Sequence, residues 1–148
     1  MIQSVKRIFV AAIVVVLSAC ATAPGQKFSG LASPAKNQGD VYLYRTSALF
    51  ASGQAFTVTL DGNKVGDLYN ASYLHLRLSP GEYSLKVSPG GFAQSSDLPI
   101  QLDPGKTSFL QYDFTSGPLA NVFFIGSSIQ PRNQEQALLD MKELNSAK

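Results

Sequence analysis

From residue 40 onward, apolar and polar residues alternate with a period of two, and short turn signals interrupt the alternation every few residues. The stretch "SYLHLRL" (72–78) is the cleanest instance. Leu74, Leu76 and Leu78 fall on one face, and Tyr73, His75 and Arg77 fall on the other. Successive side chains of a β-strand point to opposite faces, so this pattern predicts a half-buried strand. "AFTVTL" (55–60) puts Phe56, Val58 and Leu60 on one face, and "YSLKVS" (83–88) does the same with Tyr83, Leu85 and Val87. "VYLYR" (41–45), "KVGDL" (64–68), "LPIQL" (98–102), "TSFLQYDF" (107–114) and the more continuous "NVFFIGSSI" (121–129) add further β-rich runs.

The interruptions are turn sequences. Asp61-Gly62 is a strong two-residue hairpin signal. "SPGE" (79–82) and "DPGK" (103–106) are further turns, while "PGGFAQSS" (89–96) and "TSGPLA" (115–120) read as loops. Short strands joined in this way predict a mainly β fold, a small antiparallel β-sandwich of immunoglobulin-like or prealbumin-like type. The expected core is Phe56, Val58, Leu60, Leu74, Leu76, Leu78, Leu85, Val87, Ile100, Leu110 and Tyr112. The period changes in the tail. "NQEQALLDMKELN" (133–145) places Ala137, Met141 and Leu144 at helical spacing with Leu138 beside them, and Asn133 with Gln136 resembles a capping box. One C-terminal α-helix is expected to pack on the sheet.

The N-terminus has a different character. Lys6 and Arg7 precede ten apolar residues, Ile8 to Leu17, and then Ser18, Ala19 and the single cysteine, Cys20. Ten residues of helix rise about 15 Å, too little to span a bilayer and suited to a signal-peptide core. The whole resembles the lipobox of bacterial lipoproteins. That resemblance implies a signal peptide over 1–19, acyl chains on Cys20 and a mature chain beginning there, with membrane attachment through several acyl chains. The alternative is an ordinary secretory signal with an incidental cysteine. Ala21 resembles the residue of lipoproteins sent to the outer membrane, where this chain would face the periplasm. Residues 20–39 then read as the lipidated Cys and a flexible Ala-, Gly-, Pro- and Ser-rich tether, with Phe28 and Leu31 as the apolar residues able to dock on the domain at 40–148.

Loss of the signal removes Lys6 and Arg7 and leaves ten basic against ten acidic residues. A near-neutral domain with no Lys/Arg cluster argues against a nucleic-acid partner. With Cys20 acylated, neither a disulfide nor a cysteine metal site remains, and no cofactor or metal is expected. "DGNKVGD" (61–67) starts like a calcium loop, but Val65 replaces a fifth-position oxygen and Ser72 stands where the closing Glu belongs. His75 is the only histidine, and no nucleophile elbow or phosphate-binding glycine motif accompanies it. Asp97 and Asp103 sit at strand ends, where acidic turn residues are ordinary. No catalytic residue is therefore assigned.

The candidate binding residues are Tyr73, His75 and Arg77 on the polar face of one strand, and Arg45 at the end of another. A solvated surface is the plain reading of the first three; Tyr and Arg together also suit a contact surface. Arg45 has a planar fork able to hold a carboxylate or stack on an aromatic ring, or to fix its own strand end through an intramolecular contact.

"DVYLYR", "FTVTLDGNKVGDLYNASYLHLRLSPGEYSLKV" and "LDPGKTSFLQYDF", in that order over about residues 40 to 114, resemble the small bacterial lipoproteins of domain of unknown function 2846. The resemblance implies a secreted β-sandwich domain and no activity. The expectation is a non-catalytic envelope lipoprotein acting through a protein partner in envelope structure or assembly. A periplasmic module that binds a glycan, peptide or lipid fragment is the alternative.

Overall fold

The alternating runs form two sheets packed face to face. The computed structural model describes residues 22–33, 35–90, 93–119 and 122–148, with the backbone alone for 115–119 and 122–125. One sheet holds β1 (Gly39–Arg45), β4 (Ser72–Leu78), β7 (Thr107–Leu119), β8 (Val122–Arg132) and β9 (Asn145–Ser146), in the order β8-β7-β1-β4-β9. The other holds β2 (Phe56–Leu60), β3 (Asn63–Leu68), β5 (Gly81–Ser88) and β6 (Ser96–Leu102), in the order β3-β2-β5-β6. Neighbours are antiparallel except for β1 with β7 and β4 with β9. The architecture is mainly β and sandwich-like, with one helix near the C-terminus.

Turn chemistry sets the register. Asp61 (φ 49°) and Gly62 (φ 80°) both adopt left-handed backbone, which gives a hairpin joining Leu60 to Asn63. The register then carries the apolar set inward. Phe56, Val58, Leu60, Leu74, Leu76, Leu85, Val87, Ile100, Leu110 and Tyr112 are buried between the sheets, joined by Val41, Leu43 and Leu68. Leu78, at the end of β4, is only partly buried.

The structure departs from the expected loop at 115–120, of which residues 115–119 are described. Those residues are strand: β7 and β8 pair without interruption from Phe109↔Arg132 to Leu119↔Val122. Gly117 and Pro118 are poor strand residues, yet β1 accompanies β7 only as far as Gln111. Beyond that point one flank of β7 has no ladder to complete, so the N–H that Pro118 lacks is not missed.

A second layer covers the outer face of the five-stranded sheet. Helix α1 spans Gln134–Met141, and the Asn133 side chain accepts the Gln136 N–H at 2.8 Å. It is shorter than the expected 133–145, because Lys142 and Glu143 turn the chain back to form β9 beside β4. Ala137, Met141 and Leu144 are buried against Tyr42, Tyr44 and Phe109, with Leu138 partly buried beside them.

Residues 22–33 complete this layer, and Phe28 and Leu31 both pack into it. The docking extends well beyond those two side chains. Thr22 bridges Asn70 and Lys27 bridges Asn145. Gly25 N–H donates to Ser146 O (2.9 Å), Phe28 N–H to Leu144 O (2.8 Å), and Ser146 N–H to Gln26 O (2.8 Å). A Cβ at Gly25 would fall on the Lys148 carbonyl oxygen and 2.6 Å from Ser146 Cβ, so only glycine permits this approach. The signal sequence expected over 1–19, and the expected lipidation site Cys20, lie outside the described residues. Among the described residues no helix is long and apolar enough to cross a membrane.

Candidate functional site

Strand β1 is buried along both faces because it is flanked by β4 and β7 and covered above and below. Alternation therefore sends Val41, Leu43 and Arg45 into the core between the sheets, and Asp40, Tyr42 and Tyr44 into the outer layer. Opposite them in β4, Arg77 pairs with Asp40, His75 with Tyr42 and Tyr73 with Tyr44. The candidate residues Tyr73, His75 and Arg77 thus come together on one face, as their spacing requires.

Their surroundings differ from a plain solvated surface. The Asp40 side chain is 3 % exposed and is the hub of the group. Oδ1 accepts Arg77 Nε–H at 2.8 Å and lies 2.6 Å from His75 Nε2; Oδ2 accepts from the Arg77 guanidinium at 3.2 Å. A carboxylate oxygen so close to Nε2 requires that nitrogen to carry a hydrogen. The His75 ring stacks on Tyr42 with centroids 4.5 Å apart and planes 9° from parallel. Arg77 also donates to the Ser33 carbonyl (2.6 Å), and the Tyr42 hydroxyl accepts the Ala32 N–H (2.8 Å). Phe28 meets Tyr42 and Tyr73 edge to face, at 6.4 and 5.3 Å.

Burial by itself would raise the Asp40 carboxyl. The hydrogen bonds from Arg77 and His75 outweigh it and hold the group below the usual carboxylate range. Asp40 is thus an ionised anchor with both oxygens engaged, and a poor proton acceptor. Asp40 is the residue that spacing alone did not single out. It opens the run "DVYLYR", and only the β1–β4 register sets it opposite Arg77.

Arg45 does not join this group. It points into the core, 2 % exposed, and among the described residues its partners are backbone carbonyls with no carboxylate. Its guanidinium donates to the carbonyls of Gln54 (3.1 Å), Phe50 (3.2 Å) and Ala51 (2.9 Å), and its Cζ lies 4.2 Å from the Phe56 ring centroid. Arg45 therefore fixes the β1–β2 connection, the intramolecular role among the alternatives read from the sequence. Burial lowers its affinity for the proton, and the three carbonyl dipoles together with the ring stabilise the charge.

A second polar group lies farther along the outer layer. The buried Tyr44 hydroxyl donates to Asp140 Oδ2 (2.8 Å), and Gln136 donates to Asp140 Oδ1 (2.7 Å). Burial first, and then the Asp140 carboxylate, push the Tyr44 hydroxyl strongly upward, so it remains a donor. Asp113 is half-buried nearby. Burial raises its carboxyl and Asp140 adds to this, against the pull of Arg132 and Gln111. The network pins α1 to the sheet. Asp97 and Asp103 are exposed, with Asp97 3.8 Å from Lys86. Among the described residues, no three His, Cys, Asp or Glu side chains gather as a metal site.

Open grooves lie elsewhere among the described residues. One, of about 490 Å³, is lined by Asp61, Glu82, Tyr83, Ser84, Pro99, Ile100 and Gln101. Another, of about 360 Å³, runs between β6 and the β7–β8 ribbon. Neither includes Tyr73, His75, Arg77 or Arg45. Comparison with curated proteins and with solved structures finds no match for the chain. The family model described as "Protein of unknown function (DUF2846)" does match, over residues 35–127, from just before β1 into β8. That span covers most of the sandwich and includes Asp40, Tyr42, Tyr73, His75 and Arg77, and on that match the chain belongs to this family.

Proposed function

We propose that the chain is a non-catalytic lipoprotein of the bacterial envelope, attached to the outer membrane through acyl chains on Cys20, facing the periplasm and acting through a protein partner in envelope structure or assembly. The observation that carries the non-catalytic part is the engagement of the single histidine. His75 Nε2 is held at 2.6 Å by a buried carboxylate that is itself saturated by Arg77, and the ring is stacked on Tyr42. With Nε2–H turned onto Asp40, the lone pair of a neutral ring lies on Nδ1. The support for the non-catalytic reading is that among the described residues no hydroxyl nucleophile is hydrogen-bonded to that nitrogen, while the ring lies flat on Tyr42. The lipobox-like N-terminus supports the anchor, and Ala21 supports the outer membrane.

A ligand-binding module is the second reading, and the groove beside Glu82, Tyr83 and Pro99 is its most suitable site. Photo-crosslinking in intact cells, with probes at Glu82 and at exposed positions of β3 such as Lys64, separates the two. Capture of one defined envelope protein is expected. Turnover of an envelope substrate that disappears in His75→Ala would overturn the non-catalytic reading. Release of Cys20→Ser from the membrane fraction, with acyl groups in the intact mass of the parent, tests the anchor.

A further inference from the structure

Residues 22–33 lie on the outer layer as a ligand lies on its receptor. None of them is fully buried; each is half-buried or exposed. They belong to no helix and to none of the strands named above. Residues 25–27 run antiparallel to β9, on the flank that β4 leaves free. The Lys27–Asn145 bridge, the Gly25 N–H on Ser146 O and the Ser146 N–H on Gln26 O make this pairing. It extends the edge of the five-stranded sheet, which is how sheets take up extended peptides. Farther along, Phe28 N–H donates to Leu144 O, the Tyr42 hydroxyl accepts the Ala32 N–H, and Arg77 donates to the Ser33 carbonyl. Among the described residues, each hydrogen bond that joins the segment to the domain ends on the segment's main chain, apart from the exposed Lys27–Glu143 pair.

Side chains of the segment matter chiefly at two positions. At Gly25 the approach to Ser146 and Lys148 leaves no room for a Cβ. Phe28 stands edge-on to Tyr42 and Tyr73, with Leu31 packed beside it. A trough that holds backbone, one close approach and one aromatic ring accepts any extended chain with a small residue three places before an aromatic one. A surface segment held by few side chains also opens at lower cost than the strands of the core. Its opening uncovers Tyr42, Tyr73 and Arg77, residue types that concentrate binding energy at interfaces. We propose that this trough is the partner site, and that an extended segment of the partner, with that small-to-aromatic spacing, takes the place of residues 22–33. The proposal rests on the reading that the chain acts through a protein partner. The occupant is a peptide because the trough already holds one, gripped by its main chain.

The test frees the trough in the full-length chain with Gly25→Val and Phe28→Ala together. The probe is a fluorescein-labelled synthetic peptide of residues 22–33. Anisotropy is expected to show saturable binding to the freed variant and binding about tenfold weaker to the parent, whose own segment competes. The same peptide carrying Phe28→Ala should not bind. Equal binding to the freed variant and the parent, or none to either, overturns the proposal. Slow hydrogen exchange at the Ser146 amide of the freed variant also overturns it, because a segment that stays seated without Gly25 and Phe28 is not displaced by a peptide. Exchange at the β2 and β5 amides checks the fold, and Phe28→Ala alone replaces the pair if the fold is lost. Dimerisation of the parent that disappears in Phe28→Ala overturns the proposal by assigning the trough to a second copy. Photo-crosslinking in cells from Asn145, which is exposed beside the trough, separates the proposal from the reading beneath it. Capture that rises in the freed variant, on a partner segment with the stated spacing, supports the trough. A partner captured from Glu82 or Lys64 and not from Asn145 leaves the partner reading standing and rejects the trough. Capture of no protein from any of the three rejects the partner reading, and the trough as a partner site with it.

Discussion

The two faces of the five-stranded sheet are built on different principles. The inner face is aliphatic and aromatic and closes against a second sheet whose residues alternate in phase with it. The outer face places Asp40, Tyr42, Tyr44, Tyr73, His75 and Arg77 in one field and closes against a helix and an extended segment. Apolar burial on the inner face is non-directional and tolerates any partner of the right volume. The outer face depends on directed contacts: Arg77 and His75 on Asp40, Ala32 on Tyr42, and Tyr44 on Asp140. The inner face should therefore govern global stability, and the outer face should govern where residues 22–33 and α1 lie.

The largest test of that division is a cavity in the inner face. Leu74 is fully buried, and Leu74→Ala should cost about 2–5 kcal/mol in urea unfolding. A change of the size typical of surface sites would place the core elsewhere. Next in size is Asp40→Asn, which weakens the hub while keeping its shape and should cost about 1–3 kcal/mol at neutral pH. The pH dependence has a defined sign. The folded Asp40 carboxyl lies below its ordinary value, so the unfolded chain takes up the proton first. The stability due to this site is complete above the ordinary carboxylate pKa of about 4 and is lost as pH falls through the lower folded value. Acid titration of unfolding free energy should show a smaller loss in Asp40→Asn than in the parent. Identical curves would mean that the Arg77 and His75 contacts do not outweigh burial.

The smallest effect on global stability should come from the docked segment. Phe28 is half-buried, so Phe28→Ala should cost about 1 kcal/mol. Its local signature should be larger than that cost implies. Hydrogen exchange at the Gly25, Phe28 and Ser146 amides, which bond across the segment and the C-terminal strand, should quicken while the β2 and β5 amides keep their protection. Uniform quickening would mean that the two faces unfold as one unit.

The inner face was legible in the sequence. Strand alternation has a period of two regardless of context, and Asp61-Gly62 specifies its turn locally, so the sandwich and ten of eleven expected core residues follow from short-range pattern alone. The capped helix follows from Asn133 and Gln136 in the same way. Residues on the outer face of β4 were legible only as a face. Tyr73, His75 and Arg77 had to point together, but no local signal tells a solvated strand face from one covered by another layer.

What covers that face depends on contacts between positions far apart in the chain. Asp40 meets Arg77 through the β1–β4 register, Tyr44 meets Asp140 through the packing of α1, and Gly25 meets Ser146 across almost the whole described chain. The Ala-, Gly- and Pro-rich composition of residues 21–39 weakens any local preference, so tertiary hydrogen bonds and the fit of Gly25 and Phe28 decide their path. Arg45 follows the same logic. Its residue type suits a surface fork, and strand parity together with the closure of the β1–β2 connection turns it into the core. Sequence determined most of the strands, the start of the helix and the hydrophobic interior because all rest on short-range patterns, whereas the strand at 115–119 and β9 follow from tertiary pairing. Only the tertiary structure decided which polar groups are spent on internal contacts.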